Sequence, residues 1–137
     1  MRILESGLPD QVANEEKLAR FLTSSSQFNS KMVKPSAFLP EPGTWETSVF
    51  RSGSEPQEAL WGVGHRYAAQ GRNLHGVAIV EASSVRAIRL DVIAAEPPPK
   101  HSAIRNWPQV RDDPERQKAQ HKELAILLAS KAELVKK

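Results

Sequence analysis

Apolar positions along the chain recur with two different periods, in segments set off by proline, glycine and serine. Residues 10–22, DQVANEEKLARFL, place Val12, Leu18, Phe21 and Leu22 roughly on one side of a helix. Acids come early and a base late, as the helix dipole prefers, so a short amphipathic helix is expected. A polar run, TSSSQFNSK, reads as loop. Residues 33–45 carry Pro35, Pro40 and Pro42, which forbid a helix interior or a central strand, so this stretch is expected to be an extended, proline-rich arm.

The period then changes to two. WETSVFR alternates in part and predicts a strand over 45–51. The next segment predicts a helix: Ser54 as N-cap, Pro56 in the first turn and Gln57 at capping-box spacing. Leu60, Trp61, Gly64, Tyr67 and Ala68 form its apolar face, and Gly71 ends it. NLHGVAIVEA is the clearest strand, over 74–81, because its centre VAIV is continuously apolar, as in a strand buried on both faces. SSVRAIRL fits a short helix over 84–89 or a strand, and LDVIAAE fits another strand. From Pro114 the pattern is helical to about residue 134, with Asp112 or Asp113 as cap, Glu115 in the first turn, and Leu124, Leu127, Leu128, Lys131 and Leu134 as a stripe.

Between these last two segments lies EPPPKHSAIRNWP, residues 96–108. Three consecutive prolines predict a straight polyproline-II segment, stiff without hydrogen bonds of its own. It is expected to act as a strap that pins the terminal helix, with Ile104 and Trp107 against the domain surface and His101 bonded to a carbonyl. The alternative is that the prolines hold His101 over a pocket as a general acid or base.

The elements add up to a small α/β or α+β domain: a three- to five-stranded mixed sheet covered by helices and closed by a long C-terminal helix. Parallel pairing is expected where a helix joins two strands. At 137 residues the chain fits a single domain. Residues 1–44 form the N-terminal helix and arm, 45–111 the sheet core, and 112–137 the C-terminal helix.

Composition narrows the chemistry. With 39% hydrophobic and 26% charged residues the chain lies in the globular range. It has no cysteine, which excludes disulfides, thiolate metal sites and a thiol nucleophile. The segment MRILESGLPDQ lacks the apolar core of a signal peptide, and no run approaches the ~18 apolar residues of a membrane span. A cytoplasmic protein with no membrane contact is expected. The excess of 19 Lys and Arg over 16 Asp and Glu is small, and the basic residues are scattered among acids instead of forming a stripe.

Candidate functional residues are few. His65, His75, His101 and His121 show no zinc-ligand spacing, so neither a metal nor a cofactor is expected. Arg51 ends a strand just before SGSEP and a helix N-terminus, a reasonable setting for a phosphate, although Glu55 opposes an anion there. Arg72 is a second candidate for the same ligand. His75 opens the buried strand beside Gly76, where a ligand can approach the backbone; a core histidine bonded to a carbonyl fits equally. Trp45, Trp61, Tyr67 and Trp107 supply rings that stack bases or fill a core.

The segments VKPSAFLP, TSVFR, LHGVAIV and PPPKHSAIRNWP, with the terminal helix, resemble small bacterial proteins of no assigned activity. The resemblance spans most of the chain, implies no activity and carries no functional residue over. An arginine on one strand and a histidine on another also occur in ADP-ribosyltransferase and RNA phosphotransferase folds, but the distinctive motifs of those families are missing. The first expectation is a small intracellular bacterial binding or accessory module that docks on a partner protein, or on nucleic acid. The alternative is an enzyme acting on a nucleotide or RNA phosphate, with Arg51 and Arg72 holding the phosphate and His75 or His101 moving the proton.

Overall fold

A computed structural model describes residues 1–53, 57–68 and 71–137. The elements in chain order are β1 (Lys17–Leu22), β2 (Thr47–Arg51), α1 (Gln57–Tyr67), β3 (Gly76–Glu81), α2 (Ala82–Ala87), β4 (Asp91–Ala94), β5 (His101–Arg105), α3 (Pro114–Lys131) and β6 (Glu133–Lys136). The capping box expected at Ser54 lies outside the described residues.

The six strands form one open sheet in the order β4-β5-β2-β1-β3-β6, and every neighbouring pair is antiparallel. This is an α+β domain, with more strands than expected and, among the described residues, no parallel pair. The reason is positional. β2 and β3, joined through α1, do run in the same direction, but β1 lies between them and is antiparallel to both. A helix between two strands therefore did not imply that those strands are neighbours.

Residues 17–22 are strand, not helix. Val12, Leu18, Phe21 and Leu22 suit a helical stripe, but KLARFL is buried on both faces of the sheet, where a strand also reads as nearly continuous apolar sequence. β1 pairs with β3 along its whole length, from Lys17 opposite Glu81 to Leu22 opposite Gly76. These long-range pairings outweigh local propensity.

Alternating side chains divide the core in two. On one face, Leu18, Leu22, Val49, Val80 and Ile104 pack beneath α2 and α3, which contribute Val85, Ala125 and Leu128. The proline-rich arm joins this layer: Pro35 opens a short 3-10 turn, and Phe38 is fully buried. On the other face, Ala19, Phe21, Phe50 and Val77 lie under Leu60, Trp61 and Tyr67 of α1. Gly64 of α1 sits directly on Phe21: an added Cβ would fall 2.7 Å from the ring.

The strap over 96–108 is a different object. The Glu96–Pro97 and Pro97–Pro98 peptide bonds are cis, so the prolines form a turn, not a polyproline-II rod. That turn joins β4 and β5 as a hairpin, with the Ala95 N–H donating to the His101 carbonyl. Residues 101–105 are thus an internal strand between β4 and β2. Trp107 is buried, as expected of an anchor.

Asp113 caps α3 by accepting from the Arg116 N–H at 3.0 Å, and Pro114 takes the first turn. The buried face of α3 is His121, Ala125, Leu128 and Ala129, while Leu127 points outward and is 46% exposed. The helix stops at Lys131. Residues 133–136 turn back as β6, an edge strand where helix was expected.

Candidate functional site

Arg51 is 2% exposed, and its guanidinium donates four hydrogen bonds within the chain. Its Nε and Nη2 donate to the two oxygens of Glu16 at 2.7 and 2.8 Å, its Nη1 to the Pro9 carbonyl at 2.6 Å, and Nη2 also to the Gln11 carbonyl at 3.3 Å. This is a clamp on residues 9–16. It leaves the guanidinium no fork for a phosphate. Burial acts to raise the Glu16 pKa, but the Arg51 hydrogen bond, the Ala13 N–H and the charges of Arg51 and Arg86 outweigh it and hold the carboxyl below its ordinary value.

His101 packs edge-on to Phe50 at 5.3 Å, and its Nδ1 is 2.8 Å from the Ala95 carbonyl, so Nδ1 carries the proton and donates. It is a hairpin histidine bonded to a carbonyl. His75 precedes β3, with its N–H on the Leu22 carbonyl and its ring 5.7 Å from Phe28. Gly76 does admit a close backbone approach, but the approaching chain is β6: a Cβ there would lie 2.6 Å from the Val135 oxygen. Arg72 is exposed in the turn after α1.

These four residues do not converge. Arg51 stands opposite Leu18 of β1, whereas Gly76, next to His75, stands opposite Leu22. Four residues of strand separate the two ends by roughly 13 Å. Arg51 and His101 share one end of the sheet but lie on opposite faces, since Arg51 follows Val49 in phase and His101 packs on Phe50. Among the described residues no group of three His, Asp or Glu side chains could hold a metal ion.

A groove of about 600 Å³ lies elsewhere, between the arm and the first turns of α3. Leu39, Pro40, Pro42 and Trp45 form one wall, Val110 and Pro114 the other, and the lining is predominantly apolar. Arg111 and Lys118 are its charged lining residues, both exposed, and among the described residues no carboxylate lines it.

The groove is held in shape by its own contacts. His121, 4% exposed, lies between Trp45 and Trp107 with ring centroids 5.4 and 5.6 Å away. Its Nε2 is 2.6 Å from the Pro108 carbonyl, tying α3 to the segment after β5. The Gln117 side chain accepts from the Val110 N–H at 2.8 Å. Trp45 takes a left-handed conformation, φ 54°, in the turn closed by the Glu41–Glu46 bridge, and that turn presents its ring to His121.

Sequence reading missed this site because its walls come from residues 39–45, 109–111 and 114–121, each of which reads as a connection or a helix start. The density of Pro and Trp in 35–45 was the one available signal.

Arg20 was also missed. Its Nε and Nη1 donate to the Ala37 and Ser48 carbonyls at 2.7 and 2.9 Å where β1 and β2 part, so an arginine side chain replaces ladder bonds inside the sheet.

No protein-family model matches the chain, and neither a curated protein nor a solved structure shows significant similarity to it. Among the described residues, no helix is long and apolar enough to cross a membrane.

Proposed function

We propose that this chain is a small binding module, an accessory subunit that docks on a partner protein through the groove between the arm and α3. The partner element is a short peptide segment with bulky apolar side chains next to an acidic residue. The groove itself carries the proposal. Its walls are proline, tryptophan and aliphatic carbon, its charged lining residues are cations, and its shape is set by the His121 and Gln117 bonds before any partner arrives. Prearranged walls spare part of the ordering cost of association. Apolar anchors with a charged rim are the usual division of labour in such contacts.

The catalytic alternative has less to stand on. Arg51 is consumed by Glu16 and two carbonyls, and Arg72 with His75 lies at the other end of the sheet from His101.

The test is panning of the immobilised chain against a random peptide library. Enriched peptides are expected to pair large apolar residues with Asp or Glu. They should lose binding to the Trp45→Ala and Lys118→Glu variants and retain it for Arg72→Ala. Lys118 is an exposed residue, so the second variant keeps the test meaningful if the first is destabilised. No enrichment, or enrichment indifferent to both groove substitutions, overturns the proposal.

A further inference from the structure

The sheet has two edges, β4 and β6, and only β4 has an outward residue whose backbone groups are both taken within the chain. On β4 the ladder bond from the Ala95 N–H to His101 fixes the phase: residues 91, 93 and 95 face β5, and Val92 and Ala94 face outward. Both backbone groups of Val92 are satisfied within the chain. Its N–H donates to the Asp91 carboxylate at 2.8 Å, and its carbonyl accepts from Arg86 Nη2 at 3.2 Å. The Asp10–Val12 segment lines the same stretch, and Arg86 Nη1 also donates to Asn14.

On β6 the bond from the Lys137 N–H to the His75 carbonyl sets the phase in the same way. Residues 133, 135 and 137 face β3, and Leu134 and Lys136 face outward. Among the described residues nothing hydrogen-bonds their outward N–H and C=O groups. An unpaired strand edge is a template for another strand.

We propose that β6 pairs with β6 of a second copy of this chain, antiparallel across a two-fold axis through Val135. Phase and charge select this arrangement. A two-fold ladder must set outward residues against outward residues. Centring it on Val135 puts Leu134 opposite Lys136 and, twice, Glu133 opposite Lys137 of the second copy. Centring it on Leu134 leaves Glu133 facing a valine, and centring it on Lys136 stacks two ammonium groups. The sequence ELVKK is therefore complementary to itself in one register. The lysines deter unrelated strands, and the matched glutamate admits the chain's own copy. Four residues of strand bury little area compared with a standard stable interface, so the dimer is weak, concentration-dependent and sensitive to salt.

The experiment is sedimentation of the full chain over a concentration series at low and high salt. A monomer–dimer equilibrium that weakens with salt is expected. Glu133→Lys and Lys137→Glu each set like charges opposite one another twice and weaken self-association about tenfold. An equimolar mixture of the two variants restores opposite charges in both pairs and forms a heterodimer. Both side chains are exposed, so the fold stands in either variant, as circular dichroism checks. A wild-type chain that stays monomeric at every concentration overturns the proposal, as does a mixture that associates no better than its components.

Discussion

The two edges of the sheet face the same physical problem and meet it differently. β4 is a short strand whose first outward residue is wrapped by its own neighbourhood: Asp91 takes the Val92 N–H, Arg86 takes the carbonyl, and Asp10–Val12 line the flank. β6 is equally short, but its outward residues keep their backbone groups and only the lysines discourage company. Sealing an edge consumes side chains from three parts of the chain, here Asn14, Arg86 and Asp91. An edge left bare along its whole length, while the other is closed at Val92, is the natural place for an intermolecular strand.

The largest expected effect comes from unfastening the segment that covers β4. Glu16→Gln leaves the buried Arg51 guanidinium without its counter-charge and should lower unfolding free energy by about 3 kcal/mol in denaturant titration. Val92 exchange should quicken while β6 is untouched. Next comes Gly76→Ala, which drives a methyl into the Val135 carbonyl and should cost about 2 kcal/mol. Its signature is the opposite one: β6 separates from β3, self-association disappears, and the β4 edge keeps its protection. Arg86→Ala should cost about 1 kcal/mol, because its ion pair with Asp91 is partly exposed, with side chains 31% and 36% accessible. It should also make the β4 edge available, adding a second mode of self-association that the Glu133→Lys substitution does not remove.

Acid should act on the sealed edge. Burial tends to raise the Asp91 pKa, but the Arg86 hydrogen bond, the Val92 N–H and the charges of Arg86 and Arg105 hold it below its ordinary 3.8, as Glu16 is held below 4.5. A depressed folded-state value means these carboxylates contribute stability that is complete above the unfolded values. That stability is lost as pH falls from there through the lower folded ones. Denaturation midpoints should therefore decline below about pH 4.5, less steeply in Glu16→Gln than in the wild type.

What the sequence disclosed follows from where each element's information lies. β3 announces itself because VAIV is buried on both faces, and α3 because Asp113, Pro114 and Glu115 are local start signals. β1 misleads because apolar positions at 12, 18, 21 and 22 satisfy a helical stripe, while the partners that make it a strand lie some 60 residues away in β3. β5 hides because Ser102 occupies a fully buried position and three prolines precede it. β6 hides because it is only four residues long and a single residue, Ala132, separates it from the helix. Of the candidate residues, Arg51 was placed correctly at the end of its strand, whereas His101 was expected in a strap and opens β5. Their partners, Glu16 35 residues back and the Ala95 carbonyl across a hairpin, are tertiary facts that no local pattern carries.

The contrast between the edges is most directly tested by amide hydrogen exchange on the full chain at high dilution. Val92 should exchange slowly and Leu134 and Lys136 fast, with protection of the latter two appearing only as concentration rises. Equal rates at Val92 and Leu134 in the dilute sample, or protection of Leu134 and Lys136 that is independent of concentration, would contradict it.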